Sequence, residues 1–428
     1  MSNVLLDKTG RRVVAITGVG VVTSLGVGVR DNWAALTAGR SGVRTIERFP
    51  VEGLKTRFAG TIESPSGAPY RAADLATEIA SLAAREAIGQ AGIGERGRFP
   101  GPLIIATPPS EIEWPDLQRL YRDPHAREAA PGYERLLAAA RTGAYAEMAR
   151  HVRFASIADR LQAELGTRGA PMSVCTACAS GATTIHLGAE AIQRGEIDAA
   201  LCVGTDATVH PEGLVRFSLL SALSTDNDRP QKASRPFSLD RNGFVIAEGA
   251  GALVLEAYSA ARARGARILG IVRGCGEKAD DYHRTRSKPD GTAIIGAIRR
   301  ALADAGVEPD EIDYVNAHGT STPENDRMEY VAMRAVLGER VHGVPISSNK
   351  SMVGHTLIAA GSVEAVFSLL TIQSGTLPPT INYDRPDPEI ALDVVANVKR
   401  DVPVGTVLSS SFGFGGQNVC LVLAAEPA

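Results

Sequence analysis

The chain has 428 residues, of which 44 % are hydrophobic, 22 % charged and 5 % aromatic, the composition of a globular protein long enough for two domains or one large duplicated domain. Its net charge of −3 gives no reason to expect nucleic acid or a membrane surface as a partner. The sequence has no stretch of about 18 consecutive apolar residues, no apolar run near its start and five scattered cysteines. We therefore expect no membrane insertion and a reducing, cytoplasmic location.

The first predicted strand, residues 12–22, ends in a glycine turn. Gly18-x-Gly20 matches the beginning of a dinucleotide-binding motif, but Thr23 stands where that motif has its third glycine. We interpret these glycines as a tight turn and not as a nucleotide site.

Two helices and a second strand are predicted next. Asp31 is predicted to cap a helix that runs to Ala38, and an alanine-rich helix is predicted over 72–91. The short apolar run 103–106 predicts a buried strand.

Residues 107–153 differ in character from the rest of the chain. Proline-bounded breaks and the helical spacing over 133–148 predict an inserted helical subregion. We interpret its arginines as a solvated surface, with a docking face for an acidic partner as the alternative hypothesis. These arginines are Arg119, Arg122, Arg127, Arg135, Arg141, Arg150 and Arg153.

Cys178 lies where an extended apolar run gives way to a predicted helix over 179–194. A helix N-terminus favours a thiolate through its dipole and its unpaired backbone N–H groups, so Cys178 is the candidate nucleophile. The alternative is that it is a small buried core residue. Cys175 completes a C-x-x-C spacing, but the absence of a second pair and of a nearby histidine cluster argues against a zinc site.

Two segments of the chain match in one register. Ala179-Ser-Gly-Ala182 resembles Ala359-Ala-Gly-Ser362, and 191–197 resembles 371–377 at the same offset of 180 positions. This predicts an internal duplication of one α/β unit. The period is too long for a solenoid protein. Chance similarity of short Gly/Ala motifs is the alternative.

Two histidines follow predicted strands in the second half. His318 stands at the carboxyl end of the strand 312–317, the sheet edge at which α/β proteins bind ligands, and His355 follows a second such strand. Each one alone could be a structural histidine. The glycine-rich segment 407–423 predicts two strands joined by a turn, whose N–H groups could also approach a substrate oxygen.

These segments together resemble the β-ketoacyl-acyl carrier protein synthases of the thiolase superfamily, most closely the elongating type II enzymes. They occur in the family's order and cover nearly the whole chain. The motifs are Thr176-Ala-Cys-Ala-Ser-Gly181, Ala222-Leu-Ser-Thr225 with Arg235-Pro-Phe237, Glu248-Gly-Ala-Gly251, Asn316-Ala-His-Gly-Thr-Ser-Thr-Pro323, Asn349-Lys-Ser-Met-Val-Gly-His355 and Ser411-Phe-Gly-Phe-Gly-Gly416.

The resemblance implies an α/β fold, the duplicated five-layer α-β-α-β-α thiolase-like fold, in a homodimer. The N-terminal half would be 1–258, with the insertion at about 107–153, and the C-terminal half would be 259–428. It implies condensation of an acyl group with malonyl-acyl carrier protein (ACP) to give 3-oxoacyl-ACP in fatty acid elongation. Substrates would be carried on ACP phosphopantetheine, with no separate cofactor and no metal.

The resemblance also assigns roles to residues. Cys178, His318 and His355 would be catalytic, with Lys350 and Glu364 in support. The remaining assignments place Thr320 and Thr322 on the pantetheine arm, and the backbone N–H groups of Cys178 and Phe414 in an oxyanion hole, with Phe412 and Phe414 at the cavity gate.

Several positions depart from the family pattern. Thr107-Pro-Pro-Ser-Glu111 stands in place of a glycine-rich stretch, and Ser221 in place of a frequent basic docking residue. Ala247 replaces the usual Gly, Ser410 a common Asn and Gln417 a common Thr. They suggest a specialised long-chain or dedicated-carrier synthase. Two rivals remain: a non-catalytic chain-length-factor-like partner subunit, which typically lacks the nucleophile, and a degradative thiolase, which would need a second cysteine such as Cys420.

Overall fold

The structure is a computed structural model that describes residues 5–95, 97–109 and 111–426. The strands are β1 (Val14–Thr23), β2 (Gly26–Val27), β3 (Arg44–Thr45), β4 (Phe58–Ala59), β5 (Leu103–Ala106), β6 (Met172–Val174), β7 (Ala199–Asp206), β8 (Gly249–Ala257), β9 (Gly270–Ala279), β10 (Tyr314–Asn316), β11 (Pro345–Ser347), β12 (Thr376–Leu377), β13 (Asp393–Val394), β14 (Arg400–Asp401), β15 (Thr406–Phe412) and β16 (Gln417–Ala424).

The helices are α1 (Val29–Thr37), α2 (Ala72–Ala91), α3 (Trp114–Tyr121), α4 (Tyr133–Arg141), α5 (Ala149–Val152), α6 (Ser156–Leu165), α7 (Ser180–Gln193), α8 (Pro211–Leu219), α9 (Tyr258–Ala263), α10 (Thr292–Ala305), α11 (Pro323–Leu337), α12 (Lys350–Val353) and α13 (Ala360–Ser374).

The main sheet consists of two half-sheets with the same strand order. In the first, the order is β1-β8-β7-β5-β6, and in the second it is β9-β16-β15-β10-β11, with β13 beyond β11. In both, the first two pairings are antiparallel and the last two are parallel. The topology therefore repeats strand by strand in chain order, as a duplicated α/β unit requires. The division at 258/259 stays a prediction.

Alternate residues of the sheet enter different hydrophobic cores. Leu253 and Leu255 of β8 face the central core that surrounds α7 and α13, whereas Ala252 and Val254 face an outer core formed with α2 and α6. β16 alternates in the same way between the central core and a second outer core, formed with α10 and α11. This period of two is that of a strand buried on both faces. The result is the predicted five-layer α-β-α-β-α fold.

The two central helices cross at a pair of glycines. A Cβ atom on Gly181 would lie 2.4 Å from the backbone nitrogen of Ser362, and one on Gly361 would lie 2.4 Å from that of Ala182. Only glycine permits this reciprocal approach of backbones. The motif that predicted the duplication from the sequence therefore marks the contact between its two copies.

The segment Leu357–Ser374, which contains α13, is apolar enough to cross a membrane by length and composition, with a mean hydropathy of 1.5. However, 78 % of it is buried within the protein. A helix that is apolar all round and enclosed by protein is a core helix.

Two local predictions are refined by the structure. The helix expected to start at Asp31 begins at Val29 instead, after Gly28, and ends at Thr37. The region 107–153 holds α3, α4 and α5, and α3 and α4 contribute side chains to a small hydrophobic cluster within the region. Ser110, part of the departure at 107–111, lies outside the described residues.

Candidate active site

Cys178 lies in a sharp turn between β6 and α7. Ala177 adopts a left-handed conformation with φ of 48°, and the Ser180 hydroxyl accepts a hydrogen bond from the backbone N–H of Thr176 (2.8 Å). The thiol precedes the first helical residue by two positions and is 9 % exposed. The sequence prediction of a cysteine at the start of a buried helix is therefore confirmed.

His318 is held by its backbone at the end of β10. The two carboxyl oxygens of Glu329, on α11, accept hydrogen bonds from the backbone N–H of His318 (2.8 Å) and of Gly319 (2.7 Å). Glu329 is buried. Because both carboxylate oxygens are engaged, the loop after β10 has one orientation, and this orientation directs the His318 ring into the site.

His355 is held by the segment that precedes β8. Its N–H donates to the carbonyl oxygen of Val245 (2.7 Å), and its own carbonyl accepts from the N–H of Ala247 (2.9 Å). The ring packs edge-on against Phe244, with centroids 5.3 Å apart. Two backbone hydrogen bonds from the first half of the chain therefore position a histidine of the second half.

The two imidazoles meet edge to face, with ring centroids 5.3 Å apart and planes inclined at 85°. The Nδ1 atom of His318 lies 3.4 Å from the Lys350 ammonium, and that of His355 accepts from the backbone N–H of Leu357 (3.3 Å). An Nδ1 atom that accepts a hydrogen bond leaves the proton of a neutral ring on Nε2. Both rings therefore present Nε2–H donors.

Both histidines are neutral at physiological pH. Burial lowers the pKa of His318 and of His355 well below the ordinary value, and the positive charge of Lys350 lowers both further. Lys350 is also in a buried ion pair with Glu364. Burial raises the pKa of Glu364 to about 7, against the opposing effect of Lys350. Lys350 thus connects the histidines to a carboxylate behind the site.

The thiolate that a helix N-terminus favours at Cys178 is opposed by burial. Burial raises the pKa of Cys178 to about 12, although the Lys350 charge and a hydrogen bond from the backbone N–H of Phe414 lower it. Desolvation disfavours the charged form more than the helix terminus favours it. The balance of these effects favours the thiol over the thiolate.

One cavity of about 550 Å³ joins the predicted residues. Cys178, His318 and His355 line it together with the two predicted threonines and the two predicted phenylalanines, Thr320, Thr322, Phe412 and Phe414. The threonine hydroxyls lie 2.8 Å apart. Phe412 packs edge-on against the His318 ring at 5.6 Å. The structure therefore brings these residues together, and Lys350 and Glu364 lie behind the cavity.

Sequence reasoning missed two buried carboxylates near the site. Glu329 fixes the His318 loop, and Asp206, at the end of β7, accepts from the backbone N–H of Ile358 (3.4 Å) beside the central helix. Burial raises the pKa of Asp206 to about 6. For Glu329, the sequence offered one signal, which is its spacing from Asp326. Two acidic residues three positions apart lie on the same face of a helix, and if that face is buried, both need backbone or cationic partners.

Cys420 does not enter the site. It is fully buried in β16, where its sulfur lies 3.9 Å from the Ser410 hydroxyl, and the described residues that line the cavity do not include it. Across 5–95, 97–109 and 111–426, no three His, Cys, Asp or Glu side chains are grouped so as to hold a metal ion. The site therefore offers one thiol and two imidazoles.

Two family models match the chain. "Beta-ketoacyl synthase, N-terminal domain" matches residues 11–96 and 125–261, and "Beta-ketoacyl synthase, C-terminal domain" matches 269–384. The chain belongs to the β-ketoacyl synthase family. It is thus a condensing enzyme of the acyltransferase class. The unmatched interval 97–124 includes the beginning of the helical region 107–153.

Relatives of this β-ketoacyl synthase cover nearly its full length. It is 40 % identical over 425 residues to the tetracenomycin polyketide synthase ketoacyl synthase alpha subunit of Streptomyces glaucescens, with 98 % of each chain covered. It is 37 % identical over 424 residues to 3-oxoacyl-acyl-carrier-protein synthase 2 of Coxiella burnetii, covering 97 % of this chain and 99 % of the relative.

A solved structure resembles it throughout. This is the complex of a type II polyketide synthase acyl-carrier protein with its ketosynthase bound to the hexaketide. The TM-score is 0.83 at 33 % identity, with 97 % of this chain and all of that chain covered. The fold prediction is confirmed.

Proposed function

We propose that this β-ketoacyl synthase condenses an acyl group held on Cys178 with malonyl-ACP to give 3-oxoacyl-ACP. The observation that carries the proposal is the shared cavity, which is lined by one thiol and by two neutral imidazoles with Nε2–H donors. Thiols suit acyl transfer because they are good nucleophiles and good leaving groups.

In the first half-reaction, the sulfur of Cys178 attacks the carbonyl of acyl-ACP. The S–H proton leaves with the departing carrier thiol, and a new thioester forms on Cys178. The backbone N–H groups of Cys178 and Phe414 would stabilise the oxyanion. The hydrogen bond that the Phe414 N–H donates to the sulfur supports this assignment, since it places that donor beside the reacting atom.

In the second half-reaction, malonyl-ACP enters and loses CO₂. The electron pair of the broken bond forms an enolate, whose oxygen accepts hydrogen bonds from His318 and His355. Neutral donors suit a developing oxyanion in a buried site. The enolate carbon then attacks the acyl carbonyl, the bond to Cys178 breaks, and 3-oxoacyl-ACP leaves with two more carbons. The sulfur departs as a thiolate and takes up a proton from solvent, which restores the thiol. Lys350 and Glu364 would hold the histidine pair in place.

The substrates would enter on phosphopantetheine, with Thr320 and Thr322 contacting the arm and Phe412 and Phe414 gating the cavity. ACP is the proposed partner, supported by the solved relative in complex with an acyl-carrier protein. We also propose a cytoplasmic homodimer. The exposed edge of the main sheet at β6, where Met172 is half exposed, supports pairing with a second copy.

The departures at 107–111, Ser221, Ala247, Ser410 and Gln417 support a specialised synthase for long chains or a dedicated carrier. A comparison of short, long and very long acyl-carrier substrates tests this. Preference for ordinary C12–C16 chains on the common fatty-acid carrier would contradict it.

A second candidate is polyketide chain building, favoured by the 40 % identity to a polyketide synthase alpha subunit. It predicts successive condensations without reduction, which product mass spectrometry separates from a single elongation. A non-catalytic partner subunit is disfavoured, because Cys178, His318 and His355 are all present in one cavity.

The test of the proposed function is direct. Acyl-ACP without malonyl donor should leave an acyl group on Cys178 that mass spectrometry detects, and malonyl-ACP should then convert it to 3-oxoacyl-ACP. Cys178→Ser should lose about a thousandfold or more in turnover. His355→Asn should keep acylation and lose condensation. A wild-type protein that takes no acyl group from any carrier would overturn the proposal.

A further inference from the structure

The mouth of the active-site cavity carries two arginines without carboxylate partners. Arg284 and Arg286 are exposed and line the cavity. In the same loop, Lys288 forms an ion pair with Asp290. Among the described residues, no carboxylate lies within 4 Å of the guanidinium group of Arg284 or of Arg286. Two cations without ion-pair partners at a cavity entrance attract an anion.

The loop that carries these arginines is fixed. The Asp280 carboxylate accepts from the backbone N–H of Tyr282 (2.9 Å) and of Lys288 (2.8 Å). The Arg284 carbonyl accepts from the N–H of Gly415 (2.8 Å), in the turn next to Phe414. The guanidinium groups therefore extend from a backbone whose position is set relative to the catalytic turn.

Other side chains of the cavity follow a gradient of exposure. Cys178, His318 and His355 lie at its buried end, and Thr320 is 6 % exposed. Leu220 is 39 % and Leu219 is 81 % exposed, and both line the same cavity. From the inside outward, the residue types are a thiol with imidazoles, then hydroxyls, then leucines and arginines.

Phosphopantetheine has the same order of chemical groups. From its thiol end it carries two amides, a gem-dimethyl carbon and a phosphate. Hydroxyls suit amides, leucines suit methyl groups, and arginines bind phosphate through paired N–H donors. We propose that Arg284 and Arg286 bind the phosphate of the carrier's prosthetic arm. This inference rests on the proposed function, and it differs from contact with the carrier's protein surface.

Three other ionisable groups line the outer part of the cavity, and one of them is Asp280, whose carboxylate accepts the two backbone N–H groups of the loop. His283 uses its Nδ1 atom to accept from the backbone N–H of Thr285 (3.1 Å), so it shapes the loop. Glu324, in the first turn of α11, brings a negative charge to the same cavity. Glu324 would weaken phosphate binding, and Glu324→Gln should strengthen it.

The test compares acyl-phosphopantetheine with acyl-pantetheine, two small donors that differ only in the phosphate. The rate constant for acylation of Cys178 in the full-length protein is measured by mass spectrometry for each donor. Wild type should prefer the phosphorylated donor. The double variant Arg284→Gln/Arg286→Gln should lose about tenfold or more of that preference, since hydrogen bonds between charged groups are strong, and should keep its rate on acyl-pantetheine.

Lys288→Gln is the matched control, because it removes a cation of the same loop that does not line the cavity. It should leave the preference unchanged. Equal rates for the two donors in wild type would overturn the proposal. A double variant that is slow only with acyl-ACP would also overturn it, because Arg284 and Arg286 would then contact the protein surface of the carrier and not the phosphate. If no donor acylates wild type, the proposed function itself fails.

Discussion

At the scale of single residues, Cys178 experiences two opposed electrostatic effects. A helix N-terminus favours an anion by about 0.3–1 kcal/mol, and by up to about 2 kcal/mol where it is partly buried. Burial acts the other way, and a rise in pKa from 9.0 to about 12 corresponds to about 4 kcal/mol against the thiolate. The position of the cysteine could be predicted from the sequence, but its protonation state could not, because desolvation depends on every neighbour that the fold supplies.

This protonation state can be tested by alkylation. Because the thiol is protonated at neutral pH, the rate of reaction of Cys178 with iodoacetamide should rise about tenfold per pH unit from pH 7 to 9 without a plateau. The measurement uses a Cys175→Ser background, since Cys175 is the exposed cysteine. A plateau near pH 7 would show that the helix terminus dominates.

Lys350 is expected to assist burial in keeping His318 and His355 neutral. Its charge lowers the pKa of His318 and of His355. In Lys350→Met, both pKa values should move up toward 6.5, and proton NMR of the histidine rings should show the two rings titrating at a higher pH than in wild type.

The control for this prediction is Lys350→Arg, which keeps the charge and should restore the wild-type titration. Assignments come from His318→Asn and His355→Asn. Unchanged ring titration in Lys350→Met would show that burial alone depresses the two pKa values, and that Lys350 has a different role.

At the scale of elements, predictions from local signals succeeded where the partners are local. The helix after Cys178 was predicted over 179–194 and observed over Ser180–Gln193. The start of α1 was wrong because its first N–H, on Val29, donates to Glu86 (2.8 Å), 57 positions away on α2. A cap supplied by a distant side chain leaves no signal next to the helix it caps.

The crossing of α7 and α13 gives a prediction about backbone packing. Gly361→Ala should destabilise the protein by about 1–3 kcal/mol, since its methyl group would meet the Ala182 nitrogen at 2.4 Å. Urea unfolding measures the effect. Gly89→Ala in α2 is the matched control, because no atom beyond its chain neighbours and its own helix backbone lies within 4 Å of its Cβ position, and it should stabilise by about 0.5–1 kcal/mol. Equal effects at the two sites would contradict the proposed close approach.

At the scale of the whole molecule, the duplication explains why the site could be predicted only in part. The offset of 180 positions revealed the two central helices, because small residues must recur where backbones touch. The union of the half-sheets through β1 and β9, over Val14–Ile16 and Gly270–Val272, has no comparable signal. The residues that hold the site from across this junction, such as Val245 beneath His355, were therefore not found from the sequence.

Glu329 connects this architecture to the pH dependence of global stability. It is fully buried, and burial raises its pKa from 4.5 to about 8, although the N–H groups of His318 and Gly319 lower it. Between these two values the folded protein binds a proton that the unfolded chain does not. Its contribution to stability is therefore greatest below pH 4.5 and is lost as the pH rises toward 8.

Glu329→Gln removes this titration and one of the two backbone hydrogen bonds. Loss of this hydrogen bond lowers the free energy of unfolding of the variant by about the same amount at every pH, whereas the contribution of the titration changes with pH. The unfolding free energy of wild type minus that of Glu329→Gln should therefore fall between pH 5 and 8, by at most about 1.4 kcal/mol per pH unit. Urea unfolding at each pH measures this difference. If this difference does not change with pH, Glu329 is ionised in the folded state and the backbone N–H groups outweigh its burial.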